Sequence, residues 1–378
     1  MLGFVTATPG TSGSERGIAR TLVSDLRGVL TGGGSFTSHR VAKRTLADLE
    51  EFYLTEAHRK RLAQAGFLKR WLLRLWWLFK GLVLKLSPTR RLLLALGLFT
   101  FTGLRIRSED LSLDVPGVGF GLVLLVLALE LRDKMVAHDE LETGRTVQRA
   151  LMPSAAPVLE GWDVWLYTRS ANEVSGDLVD VLALAQQRTV LVLADVAGKG
   201  LSAALLSAKL QATVRALVFD TETLPSLGDL GERVNHIMYR DRVRGRFATM
   251  VGLLTSTDSG TVRLVNAGHM APLVVRGLTI EELPRGSAAI GMVPVAGCVE
   301  QSADLGTGDT LVVYSDGVTE AMNEARDFFG DERLRSVLGY ARGQGAAAVG
   351  QAIVDAVARF VGDAPVHDDV SLIILRRT

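Results

Sequence analysis

The chain has a single cysteine in 378 residues, Cys298, which excludes an intrachain disulfide and suits a reducing compartment. Cys298 stands beside Val299 with no motif around it, so it reads as a small core filler and not as a nucleophile. Aromatic residues make up only 6%, yet three of the five tryptophans crowd into Phe67–Lys80. The first 15 residues have neither a basic start nor an apolar core, so no secretory signal peptide is expected there. No Walker loop occurs, because Gly198-Lys199-Gly200 lacks the G-x-x-x-x-G-K-[ST] spacing. Long apolar runs are also missing. Leu92–Leu104 and Val115–Leu129, at about 1.5 Å per residue, each fall short of a hydrocarbon core of roughly 30 Å.

Net charge is small at +1, but it is unevenly spread. Residues 1–90 hold 15 Lys/Arg against 6 Asp/Glu, and the remainder 27 against 35. A basic segment near anionic lipid, joined to an acidic domain, accounts for that split. Nucleic acid is the rival partner for the basic part, but no binding motif accompanies the charge. Residues 1–66 are rich in Gly, Ser and Thr and read as weakly ordered and basic, with short helical patterns at Ile18–Leu30 and Leu46–Ala65. Residues 67–130 form a second region. Here Trp71–Phe79, interleaved with Lys and Arg, suits a helix in the membrane interface, with a buried amphipathic helix as the plain alternative. The two apolar runs suit a two-span hairpin with both basic flanks cytoplasmic, against one span or a peripheral hairpin. Residues 131–152, with Leu131, Met135, His138, Leu141 and Arg145 at roughly heptad spacing, read as a helical connector able to form a two-stranded coiled coil. Met152-Pro153 ends it.

The rest, 153–378, alternates strand and helix signals. Strands are expected at Asp163–Thr168, Leu178–Leu184, Thr189–Ala194, Thr249–Leu254, Thr261–Asn266, Pro272–Val275, Glu281–Leu283, Thr310–Tyr314 and Val370–Leu375. Helices are expected at Leu201–Phe219, Leu227–Arg240 and Ala346–Val361. Four acidic segments stand out against them: Glu173-Val174-Ser175-Gly176-Asp177, Asp195-Val196-Ala197-Gly198-Lys199-Gly200, Ser315-Asp316-Gly317 and His367-Asp368-Asp369-Val370. One Asp-Gly after a strand is usually only a turn. Several ionised carboxylates at strand ends need partners that offset their desolvation, and a hard divalent cation with oxygen ligands is the partner such a set suits.

In order along the chain, these segments are joined by Gln148-Arg149-Ala150-Leu151-Met152-Pro153, Phe247-Ala248-Thr249-Met250, Asn266-Ala267-Gly268-His269 and Tyr314-Ser315-Asp316-Gly317-Val318-Thr319-Glu320. The ordered set, over about Leu141 to Arg376, resembles the metal-dependent serine/threonine protein phosphatases of the bacterial, sporulation and stress-response branch. The resemblance implies an α+β fold, a four-layer α-β-β-α sandwich preceded by a helical, membrane-associated region. It implies two divalent cations, Mn²⁺ or Mg²⁺, held by Asp177, Asp195, the Val196 backbone carbonyl, Asp316 and Asp368, with Asp369 and Asp180 serving through water. Asp195 and Asp316 would act in catalysis through metal-activated water, and Lys199 and Arg169 are candidates to grip phosphate. His269 stands as a general acid or as a turn-stabilising residue.

The implied substrate is a phosphorylated protein, in bacterial signalling such as control of an anti-sigma-factor antagonist. The implied location is the bacterial inner membrane, with the catalytic domain cytoplasmic and a homodimer formed through the connector. Ser175, Leu178 and Val179 depart from the Gly-Gly-Asp-Phe-Tyr-Asp form common in relatives, without removing a ligand. The alternative function is an inactive scaffold that keeps the fold.

Overall fold

A computed structural model describes residues 66–378 except 104–106, 109–110, 113–114, 154–155, 173, 186, 220–225, 244 and 258. The expected helical patterns before residue 66 and the motif residue Glu173 lie outside the described residues. The chain divides into two compact units, Met1–Arg132 and Asp133–Thr378.

In the first unit, α1 spans Phe67–Lys85 and α2 spans Pro88–Gly103. Two-residue strands β1 (Arg107–Ser108) and β2 (Leu111–Ser112) pair antiparallel. Helix α3 then begins at Val115. Gly97 on α2 and Gly119 on α3 let the two backbones approach. A Cβ at Gly119 would stand 2.5 Å from the Phe101 nitrogen and 2.6 Å from the Gly97 oxygen. Arg90 and Glu130 close the pair of helices with an ion pair of 2.7 Å. Large apolar side chains on both helices, among them Leu92, Phe99, Phe120 and Leu127, remain exposed. The second apolar run and the connector are one element, because α3 continues unbroken to Leu151 over 37 residues. No Pro or Gly pair interrupts it between Gly121 and Met152, so nothing local ends the helix.

The second unit contains two five-stranded antiparallel sheets. Their strands are β3 (Trp162–Arg169), β4 (Leu178–Leu184), β5 (Arg188–Val196), β6 (Ala248–Ser256), β7 (Thr261–Ala267), β8 (Leu273–Arg276), β9 (Thr279–Glu282), β10 (Glu300–Asp304), β11 (Thr310–Tyr314) and β12 (Val370–Arg377). One sheet runs β10-β7-β6-β5-β4 and the other β3-β12-β11-β8-β9. Helices α4 (Leu201–Phe219) and α5 (Leu227–Arg240) cover the first sheet, and α7 (Gly330–Ala341) and α8 (Ala346–Val361) the second. A single turn of helix, α6, spans Asp316–Thr319.

The strand sequences explain this layering. Along β5, Val190, Val192 and Ala194 pack under the helices, while Leu191 and Leu193 pack into the space between the sheets. Along β12, Leu372 and Ile374 meet helices, and Ile373 and Leu375 meet the opposite sheet. Side chains alternate faces every residue, so a strand covered on both sides becomes a continuous apolar run. The fold is therefore α+β, an α-β-β-α sandwich with three apolar layers. Among the described residues the one helix long and apolar enough to cross a membrane is α4. Its Ala203, Leu210, Val214 and Val218 are buried in the sandwich, which makes it a core helix.

Candidate metal centre

The acidic segments meet where β4 and β5 of one sheet approach β11 and β12 of the other. Asp195 stands one residue before the end of β5, and Asp177 immediately before β4. Asp316 opens α6 two residues after β11, and Asp368 and Asp369 precede β12. The two loops of the second sheet are bound together: Ser315 N–H donates to the Ser371 carbonyl at 3.0 Å, and Ser371 N–H to Ser315 Oγ at 2.9 Å. Gly317 lies so close to the Asp369 carbonyl oxygen that a Cβ would overlap it.

The carboxylates raise one another's pKa. Asp177 is 1% exposed, and its Oδ2 is buried with no donor to satisfy it. Burial first, and then the Asp195 charge, hold it well above the usual carboxylate range, with Ser371 and Ser315 pulling the other way. Asp195 is pushed up to about 6 by burial and then by Asp368. Asp316 is pushed up to about 7 by burial and then by Asp195 and Asp368. Carboxylates with so little water and so few donors need a shared proton or a cation.

Among the described residues, no three His, Cys, Asp or Glu side chains already stand in an ion-holding arrangement. Lys199 explains part of this, since its ammonium sits 3.3 Å from the Asp368 carboxylate and donates to the His367 carbonyl. The donor set nevertheless fits a hard divalent ion. It is all oxygen and anionic, it includes an orphaned buried carboxylate oxygen, and its members already interact electrostatically. Gly176 brings backbone close to the same place, where a Cβ would lie 3.1 Å from the Val196 carbonyl oxygen and 3.6 Å from Asp195 Oδ1.

Asp369 behaves differently from Asp368. Its Oδ1 accepts from Ala171 N–H, and its Oδ2 from Ser175 Oγ–H and Gly176 N–H, each at 2.7 Å. Three donors occupy this buried carboxylate, so it shapes the segment that carries Asp177. Ser175, the departure from the Gly-Gly form, supplies one of them. Asp180 is likewise engaged elsewhere: Arg215 holds it bidentately at 2.8 Å on both oxygens. Arg215 also donates to the Leu151 carbonyl at 3.0 Å, and Gln211 joins it at 2.8 Å, capping the end of α3.

His269 is 9% exposed and clips two strands together. Nε2 lies 3.1 Å from the Tyr314 carbonyl, which can only accept, so Nε2 carries the proton and Nδ1 accepts from Thr249 Oγ–H at 2.7 Å. Thr249 pairs with Asp195 in the β5–β6 ladder, and Tyr314 is two residues before Asp316. Burial pushes the imidazole down to about 4, so it is neutral and structural. Arg169 ends β3, exposed, and makes no hydrogen bond or ion pair among the described residues. Sequence reasoning missed Arg246, whose guanidinium donates to the Ala197 carbonyl at 2.7 Å and Ser202 Oγ at 3.0 Å. It lies across Gly198, at φ +112°, where a side chain would collide with it. Gly198 and Arg246 are far apart in the sequence, so no local pattern signalled the contact.

Residues 185–378 match the Stage II sporulation protein E (SpoIIE) family. The chain belongs to that family. The matched span takes in Asp195, Asp316, Asp368 and Asp369 and begins after Asp177. Among curated proteins, Protein IcfG of Synechocystis sp. is 28% identical over 239 residues, covering 56% of this chain and 37% of that protein. Phosphoserine phosphatase RsbU of Bacillus subtilis is 25% identical over 240 residues, covering 63% and 70%. The chain thus spans little more than a third of the first of these relatives. Among solved structures, the SiaA-PP2C domain of Pseudomonas aeruginosa superposes with a TM-score of 0.58 at 19% identity, over 65% of this chain and 99% of that one. The PP2C phosphatase domain of SpoIIE from Bacillus subtilis superposes with a TM-score of 0.51 at 15% identity, over 58% and 64%. The sandwich therefore has the fold of the PP2C domains it superposes on, and residues 185–378 place the C-terminal part of the chain in the SpoIIE family.

Proposed function

We propose that the whole chain is a membrane-anchored, metal-dependent phosphoprotein phosphatase that hydrolyses phosphoserine or phosphothreonine in a signalling protein. The observation that carries the reading is Asp177 Oδ2, buried without a donor among carboxylates that raise one another's pKa. Asp177, Asp195, Asp316, Asp368 and the Val196 carbonyl would hold two divalent cations, Mn²⁺ or Mg²⁺. When bound, such ions supply charge against the phosphoryl oxygens and an activated water as nucleophile. The chain's own part is positioning. Asp369 fixes the Asp177 segment, Arg246 fixes the loop after Asp195, and His269 ties β6, whose Thr249 pairs with Asp195, to β11, which leads into Asp316. Arg169, whose side chain pairs with no other group among the described residues, is the candidate to meet phosphate, while Lys199 would have to leave Asp368 to do so. Similarity to the phosphoserine phosphatase RsbU supports phosphoserine as the substrate class. A phosphorylated regulator such as an anti-sigma-factor antagonist fits that class.

Membrane anchoring, at the bacterial inner membrane with the phosphatase domain cytoplasmic, is supported by the exposed apolar faces of α2 and α3. It is also supported by the close Gly97–Gly119 crossing, the small-residue packing that helices use in lipid. A homodimer through α3 is supported by Leu131, Met135, Val136 and Val147, large apolar side chains left exposed beyond the apolar run. The domain limits proposed are 67–130 for the membrane region, 131–152 for the connector and 153–378 for the phosphatase. The test is release of phosphate from phosphoserine peptides by the full-length protein in detergent, after chelation and after Mn²⁺ resupply. Activity that is absent with Mn²⁺ present would favour the scaffold reading.

A further inference from the structure

Beside the carboxylate cluster lies a cavity of about 160 Å³ that the chemistry above does not use. Its rim is shared with the site, since Asp368, Gly317 and Arg169 all border it. Its walls are largely apolar, with His367 as a polar member of the lining. Tyr167 from β3, Met322 after α6, and Val354, Val357 and Val361 from α8 form its walls, with Val366 on the segment leading to Asp368. A cavity of about 150 Å³ with apolar walls accommodates a group the size of benzene. Ala358 and Ala364 are among the residues that line it, with side chains too small to fill it.

We infer that this cavity is a substrate subsite that takes a leucine-sized apolar side chain next to the phosphorylated residue of the protein substrate. The inference rests on the phosphatase reading and adds a specificity element to it. Three relationships carry it. The cavity is continuous with the site through Asp368, so a chain with its phosphate among the carboxylates passes the cavity mouth. Arg169 presents an uncommitted positive charge at the rim, complementary to a phosphate. Apart from Arg169, His367 and Asp368, the lining offers no charged side chain to meet a polar one. Burying one apolar side chain there gives a preference of one to two orders of magnitude over a substrate lacking it, the range that apolar pockets reach.

The test uses the full-length protein with Mn²⁺ and two kinds of substrate. One is p-nitrophenyl phosphate, too small to reach the cavity. The other is a set of phosphoserine peptides with either leucine or alanine at each of the two positions on either side of the phosphoserine. The expected result is a kcat/KM at least tenfold higher for leucine at one of these positions. Ala358→Trp, which plugs the mouth, abolishes that preference and leaves p-nitrophenyl phosphate turnover unchanged. Ala364→Phe repeats the plug from the other side and serves if the first variant misfolds, which loss of p-nitrophenyl phosphate turnover would reveal. No leucine preference in the wild type, or a preference untouched by both plugs, overturns the subsite. Absence of Mn²⁺-dependent turnover of either substrate by the wild type would instead overturn the phosphatase reading.

Discussion

Gln148 and Ser175 hold each other in both directions: Gln148 Nε2 donates to the Ser175 carbonyl at 2.7 Å, and Ser175 N–H donates to Gln148 Oε1 at 2.9 Å. A side chain near the end of α3 thereby mimics a strand partner for the segment that carries Asp177. The same Ser175 turns its hydroxyl to Asp369. Outer-shell groups of this kind typically change metal affinity by 10–100-fold. Gln148→Ala is expected to weaken Mn²⁺ binding, read by calorimetry, by about tenfold or more. Unchanged affinity would mean that the contact only ties α3 down.

Asp195→Asn and Asp316→Asn replace anionic ligands by neutral amides. Each is expected to lose at least about a hundredfold in Mn²⁺ affinity, the upper end of what outer-shell changes do, while retaining a folded domain by circular dichroism. Wild-type phosphatase rates for both, after chelation and Mn²⁺ resupply, would sink the assignment of the site.

His269 makes a pH prediction whose sign follows from its burial. Its folded pKa, about 4, lies below the 6.5 of an unperturbed imidazole. Between those values the unfolded chain binds more protons, so the His269 contribution is fully present above pH 6.5 and is lost as pH falls towards 4. The difference in pKa corresponds to about 3 kcal/mol. Urea unfolding of wild type and His269→Gln from pH 7.5 to 4.5 should converge by about that amount as the pH falls. Parallel curves would show that the imidazole is not buried neutral.

Arg215→Met should strand Asp180, which is 1% exposed, without its partner. Removing one member of a buried pair costs about 3–5 kcal/mol, and the partly exposed guanidinium puts this case near the lower figure. Adding Asp180→Asn should recover much of the loss in denaturant melts. If the double variant is as unstable as the single one, the Arg215 contact with the Leu151 carbonyl is the larger contributor.

Extraction of the full-length protein at alkaline pH tests anchoring. Retention in the membrane fraction is expected, and Gly119→Leu should weaken the α2–α3 crossing enough to raise protease sensitivity between residues 88 and 130. Recovery of the wild type in the soluble fraction without detergent would reject the hairpin.

Much of the fold could be read from the chain because β5, β11 and β12 carry unbroken apolar runs, residues 190–194, 311–314 and 372–375, as strands buried on both faces do. Strand β10 could not: Glu300-Gln301-Ser302-Ala303-Asp304 is an edge strand paired only with β7, and it carries no apolar run. Helix α7 escaped notice because its apolar contribution is small, with Leu334 and Leu338 fully buried among charged neighbours. The carboxylates of the site were visible as strand-end aspartates beside small residues. Asp368 and Asp369 are adjacent and chemically identical, and the resemblance alone divided them into a ligand and a residue acting through water; the three donors that converge on Asp369 were not visible in the sequence. Gln148, Arg215 and Arg246 act across 27, 35 and 49 residues respectively, distances at which no local pattern survives.

Strand β12 sits between β3 and β11, and the residue just before it, Asp369, organises a segment 198 residues upstream through Ala171. During synthesis, then, every other strand of the domain leaves the ribosome before the site can take shape. Contacts so distant along the chain form late and slowly. A polypeptide carrying Asp177, Asp195 and Asp316 but not yet β12 has Gln148 to hold Ser175 and lacks the three Asp369 contacts that complete the segment around Asp177. Assembly of this acidic cluster is therefore tied to the completion of β12, the last of the described strands in chain order.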